Sequence, residues 1–327
     1  MHLKPRKAVK FAERLEQQMN ALIIGGSGGL SSVVAKLAMK EYRVWTLTRG
    51  NREVPAGVTS VIADRNDPEK IRQALRTQNV RWDVVIDCIC MNREHAEADL
   101  KILPEFTDRL VVVSTDSVYD CRYKKIPEKE DGICVNETGC SDECTYAGNK
   151  RHMEEVFIRD MNTGESGLKI TIFRPGHIYG PGFLLGCFPE HSRQKELPEL
   201  ILKGMPIRLV GMGTYIIHPI YVDDLAEALV DCVKKEKTFG EIFCIGGPEA
   251  VENKTYYEII AESLGAGLTI EEVPLSGYLD KHPEYSGHLC HRVYDLSKLK
   301  AAGVRMPEVN LKTGISRSLI SMGYELK

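Results

Sequence analysis

Apolar and polar positions in the first half of the chain fall into two alternating patterns. Short, unbroken apolar runs recur as "ALIIGG", "RVWTLTRG", "VTSVIADRND", "WDVVIDCIC" and "RLVVVSTDS". Between them lie segments with helical spacing, "LSSVVAKLAMKEY", "PEKIRQALRTQ" and "EHAEADLKIL". Continuous apolar strands alternating with helices predict a parallel sheet covered on both faces, because crossover helices bury both surfaces of each strand. A helix around Lys150 to Arg159 then leads into a further strand, "LKITIFRP".

Beyond that strand the alternation breaks. Pro181 to Ile207 is punctuated by Gly and Pro around a short helix, "ELPELILKG". A helix "YVDDLAEALVDCVKK", a strand "GEIFCIGG" and a helix "TYYEIIAESLG" follow. The pattern predicts a doubly wound α/β nucleotide-binding domain over residues 19–180. A smaller lobe is drawn mainly from 181–327, with the helix and strand of 221–247 returning to the sheet. Residues 1–18 are basic and amphipathic and lack the apolar core of a secretory signal, so they read as an extension ahead of a start near Met19.

Composition narrows the function classes. The 327 residues are 43% hydrophobic and 27% charged, with a net charge of -3, which argues against a nucleic-acid surface. No apolar run is long enough to span a membrane. The ten cysteines are scattered, and Cys88, Cys90, Cys232 and Cys244 sit in apolar runs, as reduced cysteines of a cytoplasmic protein do. Cys134, Cys140 and Cys144, with Cys121 upstream, cluster but form no Cys-x-x-Cys pair, so no metal site is expected.

The chemistry concentrates at strand ends. "IIGGSGGLSS" reads as Gly25-x-x-Gly28-x-x-Ser31, or Gly26-x-Gly28-x-x-Ser31, after the first strand, with Gly29 and Leu30 opening a helix. Such a turn lets a pyrophosphate approach the backbone at a helix N-terminus, the Rossmann-type arrangement for a dinucleotide. Ser31 in place of a third glycine is expected to loosen helix–strand packing. The second strand ends at Thr48, where an NAD site usually carries an acid, and Arg49 and Arg52 follow. Guanidinium groups there suit a 2′-phosphate, so NADP is favoured over NAD. Asp64, after the third strand, suits the adenine amine, although a surface turn before Asn66 accounts for it equally. Cys88, at the end of the fourth strand, completes the cofactor set.

Tyr146 and Lys150 stand four apart on a helix and share one face. A phenol with a pKa of about 10 is a poor base at neutral pH, and a nearby ammonium favours its ionised form. Thr115 ends the fifth strand in "VVVSTDSVYD", where a hydroxyl can polarise a substrate oxygen facing Tyr146. His218 precedes Pro219 and is a weaker substrate candidate, since turn histidines are common. His95, His152 and His191 have no ligand spacing. Asp223 and Asp224 suit a helix N-terminal cap.

With these residues the chain resembles the extended short-chain dehydrogenase/reductase family, the NAD-dependent epimerase/dehydratase group. The likeness runs from Met19 through the glycine turn, "STDSVYD", Tyr146-x-x-x-Lys150, "FRPGHIYGPG", "HPIYVDDLAEAL" and "VYDLSKLKAAGV". It implies Thr115, Tyr146 and Lys150 as the catalytic set, with Pro175 to His177 along nicotinamide and substrate and Arg292 toward a phosphate. It also implies a small sugar-related substrate and a homodimer formed through two helices. Family 4,6-dehydratases read "STDEVYG"; Asp116 is kept here, but Ser117 replaces the glutamate base, so dehydration is disfavoured. His177 stands where an asparagine is common, and Ile217 where a diphosphate-gripping arginine is common. "LTRG", "ADRND" and "VVIDCIC" are also similar to an atypical branch containing chloroplast stem-loop RNA-binding proteins. Three readings follow: an epimerase of a sugar or nucleotide sugar, an NADP-dependent reductase of a small carbonyl compound, and a cofactor-bound RNA-binding or scaffold protein.

Overall fold

The computed structural model describes residues 18–138 and 145–326. Among these residues a seven-stranded parallel sheet forms the centre. Its strands are β1 (Met19–Ile24), β2 (Tyr42–Thr48), β3 (Thr59–Ile62), β4 (Val84–Asp87), β5 (Arg109–Val113), β6 (Lys169–Pro175) and β7 (Glu241–Ile245). They lie in the order β7-β6-β5-β4-β1-β2-β3. Strand order reverses between β1 and β4, so the loops leaving their C-terminal ends diverge and open a crevice.

The apolar runs make these strands because both sheet faces are covered. Ala21 to Ile24 and Val84 to Ile86 have essentially no exposure. On one face lie α1 (Gly29–Ala38) and, later in the chain, a helix at Val222–Asp231; on the other lie α2 (Pro68–Thr77), α3 (Arg93–Ile102) and α4 (Tyr146–Thr163). We label the Val222–Asp231 helix α5. α1 buries Leu30, Val34, Ala35 and Ala38, one stripe with small residues that lets it pack closely against α5. The helix starts carry caps: Asp67, Asn92 and Thr145 accept hydrogen bonds from the backbone N–H of Lys70, His95 and Gly148.

β7 extends the sheet beside β6, in register from Glu241 opposite Thr171 to Ile245 opposite Pro175. Other C-terminal pieces form a separate apolar cluster around Tyr179, Leu197, Ile207, Tyr256 and Ile315. Three helices contribute to it: a short one at Leu197–Leu202, α6 (Asn253–Ser263) and α7 (Leu311–Ser321). α7 was not anticipated from the apolar pattern. Its Gly314 fits against Tyr179, where a Cβ would lie 2.7 Å from a ring carbon. Asp224 does not cap α5. Its Oδ2 accepts the N–H groups of Glu308 (3.1 Å) and Val309 (2.8 Å), tying the helix to the C-terminal segment, because the side chain points away from the helix's own first turn. No helix among the described residues is long and apolar enough to cross a membrane.

One buried ion pair fixes α4 on the sheet. Arg174 of β6 donates from Nε to Glu154 Oε1 (3.0 Å) and from Nη2 to Oε2 (2.8 Å). Its Nη1 donates to the Tyr119 hydroxyl (2.8 Å) and the Glu130 carbonyl (2.9 Å). Burial is the largest influence and would push the Glu154 carboxyl up, but Arg174, joined by Ser114 and Arg151, holds it below the ordinary glutamate range. Arg174→Met is expected to cost about 3–5 kcal/mol in urea unfolding, because it strands a buried carboxylate. The double variant Arg174→Met/Glu154→Leu should recover much of that loss. A single variant as stable as wild type would contradict this account.

Candidate active site

The glycine turn after β1 makes the first wall of the site. Gly25 and Gly26 have φ of +110° and +112°, backbone that side chains rarely adopt. A Cβ at position 26 would lie 2.6 Å from the Cβ of Thr46, so the turn can pass under β2 only as glycine. Ser31 does more than replace a glycine. It is buried, and its Oγ accepts the Gly28 N–H at 3.1 Å, bracing the turn against α1.

This turn opens a cleft of about 600 Å³ that runs past the ends of β2 and β3. Gly25, Gly28, Thr48, Arg49, Arg52 and Asp64 all line it. Thr48 Oγ1 accepts the Gly50 N–H (3.1 Å), and the guanidinium-bearing Arg49 and Arg52 are exposed at the rim. Asp64 Oδ1 holds both the backbone and the side-chain amide of Asn66. A cradle reserved for glycine, beside a helix N-terminus and two basic rim residues, fits a dinucleotide. Gly29 opens α1 beneath Phe183, and Leu30 belongs to the core rather than the cleft. Cys88 packs against the core as well, and its neighbour Ile89 lines the cleft instead.

Met91 and Arg65, which the apolar pattern did not single out, and His95, set aside for lack of ligand spacing, complete the wall. His95 and Met91 line the cleft; His95 Nδ1 accepts the Met91 N–H (3.2 Å), and its Nε2 meets Asn66 Oδ1 (3.0 Å). Arg65 holds this corner from below. Its Nη2 reaches Asp87 (2.8 Å), Asp99 (2.7 Å) and the His95 carbonyl (3.2 Å). Asp87, Cys90 and Asp99 would otherwise form a metal-like cluster, but the guanidinium fills it. "ADRND" carried this signal only as a run of polar residues after a strand. Cys140 and Cys144 lie outside the described residues.

Across the crevice, the turn at Asp116–Val118 follows β5. Thr115 caps it, its Oγ1 accepting the Ser117 N–H (3.2 Å). Tyr146, at the start of α4, is 53% exposed as a whole, yet its hydroxyl end lies near Thr115. Burial of that end pushes the phenol above its usual pKa, the Thr115 contact opposes this, and the Asp116 charge adds to it. Lys150 is buried one turn below. Its Nζ donates to the carbonyls of Cys90 (2.6 Å) and Val113 (2.7 Å), joining the ends of β4 and β5. Burial pulls its ammonium below the ordinary lysine value. The expectation that Lys150 lowers the Tyr146 pKa is not met in the protein alone, because the ammonium is engaged by backbone carbonyls and the phenol is desolvated.

The substrate candidates divide into two groups. Asp116 is buried and accepts hydrogen bonds from the Tyr294 hydroxyl (2.6 Å) and Arg292 Nη1 (3.4 Å). Burial is the largest influence and would raise its pKa, but Arg292, Lys124 and the Tyr294 hydrogen bond together hold it below the ordinary aspartate range. Arg292 is therefore already paired, although its Nε has no partner among the described residues. His177 faces the same cluster with its Nε2 buried and without a partner among the described residues, and burial followed by Arg292 lowers it to about 4. His218 is spent on the backbone: Nε2 meets the Gly247 carbonyl (2.8 Å), and Nδ1 accepts the Tyr294 N–H (3.2 Å). Pro175 is buried at the end of β6, level with Ile245. His288, missed from sequence, joins the cluster and stacks on Phe188.

A parallel sheet with a glycine cradle at its switch point, and a Tyr/Lys pair facing a strand-end hydroxyl, defines a dinucleotide-binding protein of the short-chain dehydrogenase/reductase type. Residues 21–246 match the NAD dependent epimerase/dehydratase family, and the chain belongs to it. It is 26% identical over 263 residues to "Chloroplast stem-loop binding protein of 41 kDa b, chloroplastic" of Arabidopsis thaliana, covering 76% of this chain and 63% of that one. It is 27% identical over 213 residues to a dTDP-glucose 4,6-dehydratase of Streptomyces antibioticus, covering 64% and 56%. The chain thus spans less than two thirds of these relatives' length. In fold it is similar to the UDP-glucose 4-epimerase of Thermotoga maritima solved with UDP-glucose, with a TM-score of 0.73, 19% identity, and coverage of 93% and 99%.

The two pocket histidines predict a pH effect of definite sign. His177 is lowered to about 4 and His288 to about 3, in each case by burial first and Arg292 second. An unfolded histidine titrates near pH 6.5, so below that pH the unfolded chain binds protons the folded one refuses. Stability should fall as pH drops from about 6.5 toward 4, read as a falling melting temperature. His177→Gln and His288→Gln should each flatten that slope. An unchanged slope in both variants would remove the histidines as its cause.

Proposed function

We propose that the protein is an epimerase of a sugar or nucleotide sugar, using NADP or NAD with NADP favoured. Thr115, Tyr146 and Lys150 form the site, residues 19–180 hold the cofactor, and residues 181–327 supply most of the substrate side. The observation that carries this reading is the approach of the Tyr146 hydroxyl to Thr115 at the end of β5, across from the glycine cradle. In this reading Thr115 orients the reacting hydroxyl, and Tyr146 takes its proton and returns it. Lys150 keeps the strand ends that carry both residues in place, and its charge sits beneath them. The nicotinamide cofactor, when bound, supplies the hydride acceptor and donor and a positive charge that favours the phenolate.

Two features favour epimerisation over water elimination. Ser117 has no basicity to remove a carbon-bound proton. Asp116 is held ionised by Arg292 and hydrogen-bonded by Tyr294, so it has no proton to give a leaving hydroxyl. The exposed Arg49 and Arg52, with Thr48 where an acid would hold a ribose diol, favour a 2′-phosphate. The dTDP-glucose 4,6-dehydratase and UDP-glucose 4-epimerase likenesses make nucleoside-diphosphate hexoses the first substrates to try.

The test is to incubate the protein and cofactor with nucleoside-diphosphate hexoses. Epimer should form with no net change in cofactor absorbance and no loss of water by mass. Net cofactor consumption would instead mean a reductase. Salt-sensitive RNA affinity without turnover would mean a binding protein, as the stem-loop relative's name describes. Tyr146→Phe should lose turnover by about 10²–10⁴-fold while cofactor affinity holds, since only proton transfer is removed. Full activity would take Tyr146 out of the mechanism.

Arg49→Ala should weaken NADP binding roughly tenfold, the worth of one charge-assisted hydrogen bond, and leave NAD binding nearly unchanged. Equal losses for both cofactors, read by titration of the binary complexes, would refute the 2′-phosphate role.

A further inference from the structure

Two loops make the outer wall of the cofactor cleft, one after β3 and one after β4. The first carries Asp64, Arg65 and Asn66. The second leads through Met91 into α3, where His95 stands in the first turn. Two ties join these loops. The buried one is Arg65, whose Nη2 reaches Asp87 (2.8 Å) and Asp99 (2.7 Å) and donates to the His95 carbonyl (3.2 Å). The surface one is the His95 ring, with Nε2 at 3.0 Å from Asn66 Oδ1.

The contacts of that ring decide which nitrogen carries its proton. Nδ1 accepts the Met91 N–H (3.2 Å), so the proton of the neutral imidazole lies on Nε2 and is donated to Asn66 Oδ1. With its oxygen taken by His95, the Asn66 amide turns its nitrogen the other way. Nδ2 donates to Asp64 Oδ1 (3.1 Å), which also accepts the Asn66 backbone N–H (2.9 Å). Asp64 Oδ1 is thereby occupied twice. Its Oδ2 has no partner among the described residues, and the side chain is exposed in the cleft. Each link depends on the one before. Without the Nε2 proton, the Asn66 amide is free to turn end for end and set its oxygen against the Asp64 carboxylate.

We propose that His95 is a positioning residue for cofactor specificity: through Asn66 it holds the Asp64 carboxylate with one oxygen free for the exocyclic amine of an adenine ring. The proposal rests on the reading of this cleft as a dinucleotide site, and on neither the reaction nor the substrate. Adenine offers an N–H donor at that edge. Hypoxanthine offers a carbonyl oxygen there, which a carboxylate repels.

The arrangement responds to pH in one direction. Protonation of His95 puts a hydrogen on Nδ1 facing the Met91 N–H, and two donors then oppose each other. Charged groups act on the ring from three sides: Arg65 from the loop after β3, Asp87 from the end of β4 and Glu94 from α3. Arg49 and Arg52 line the same cleft from the loop after β2. Burial first and Arg65 second hold the imidazole below the ordinary histidine range, against Asp87 and Glu94. The ring is therefore neutral at about pH 7, and the selectivity it supports is lost as pH falls below about 6.5.

The test is direct titration of the full chain with NADP and with deamino-NADP, in which hypoxanthine replaces adenine, and with NAD and deamino-NAD in parallel. Wild type should bind the adenine forms about tenfold more tightly, the strength of one charge-assisted hydrogen bond. His95→Ala should remove that ratio, weakening the adenine forms about tenfold and leaving the deamino forms nearly unchanged. His95→Gln keeps a donor without a titrating ring and should retain most of the ratio. The wild-type ratio should fall between about pH 7 and pH 5, while that of His95→Gln should stay level. The 2′-phosphate titrates in both NADP forms and cancels from the ratio. Equal weakening of adenine and deamino forms by His95→Ala would show a histidine that merely supports the wall, and overturns the proposal. A wild-type ratio near one overturns it as well, by removing the Asp64 contact. Binding of none of the four dinucleotides would sink the cofactor reading and the proposal with it.

Discussion

The bidentate pairing of Arg174 with Glu154 is the constraint on which the site rests. Glu154 lies one turn beyond Lys150 and two turns beyond Tyr146 on the same face of α4. Seated on the end of β6, it sets the height of the whole helix relative to the strand ends. The same guanidinium reaches Tyr119 and Glu130, so the segment after β5 and the helix are located by one buried group. Lys150 adds a second fixed point by bridging the carbonyls of Cys90 and Val113. Buried charges of this kind contribute little net stability when paired and cost much when stranded. Their effect here is to leave Tyr146 and Thr115 one relative position.

The opposite side of the crevice is organised differently. The cofactor cleft is made by backbone: a turn that only glycine can follow, a helix N-terminus and the loops after β2 and β3. Side chains brace it from behind, Ser31 under the turn and Arg65 under the corner formed by Asn66 and His95. Backbone binding suits a cofactor common to a whole family, and the exposed side chains of Arg49 and Arg52 stand at the rim of that cleft.

The substrate candidates sit in a cluster whose charges are largely compensated. Arg292 is neutralised by Asp116, Ile217 is buried and apolar, and His177 and His288 are kept uncharged by burial. A pocket whose arginine is paired with a carboxylate and whose two imidazoles are neutral offers hydrogen bonds more readily than a strong anion site. Membership of the epimerase/dehydratase family fixes the architecture and leaves this chemistry to the individual chain.

The sequence by itself determined the sheet, its crossover helices and the place of the glycine turn. These depend on local rules: unbroken apolar runs, helical spacing, and glycine where φ is positive. It also placed Thr115, Tyr146 and Lys150 at strand and helix ends, because strand ends and four-residue spacing can be counted along the chain. Only the tertiary structure decided what those residues touch. Asp116 reads as a substrate group until Arg292 and Tyr294, drawn from the far end of the chain, close on it. His218 reads as a weak substrate candidate until Gly247 and Tyr294 take both its nitrogens. Asp224 reads as a cap until Glu308 and Val309 claim its carboxylate. α7 was hidden because its apolar stripe is interrupted by Gly314, which Tyr179 requires. In each case the deciding partner lies far away in sequence, and burial sets its strength, so no local pattern can register it.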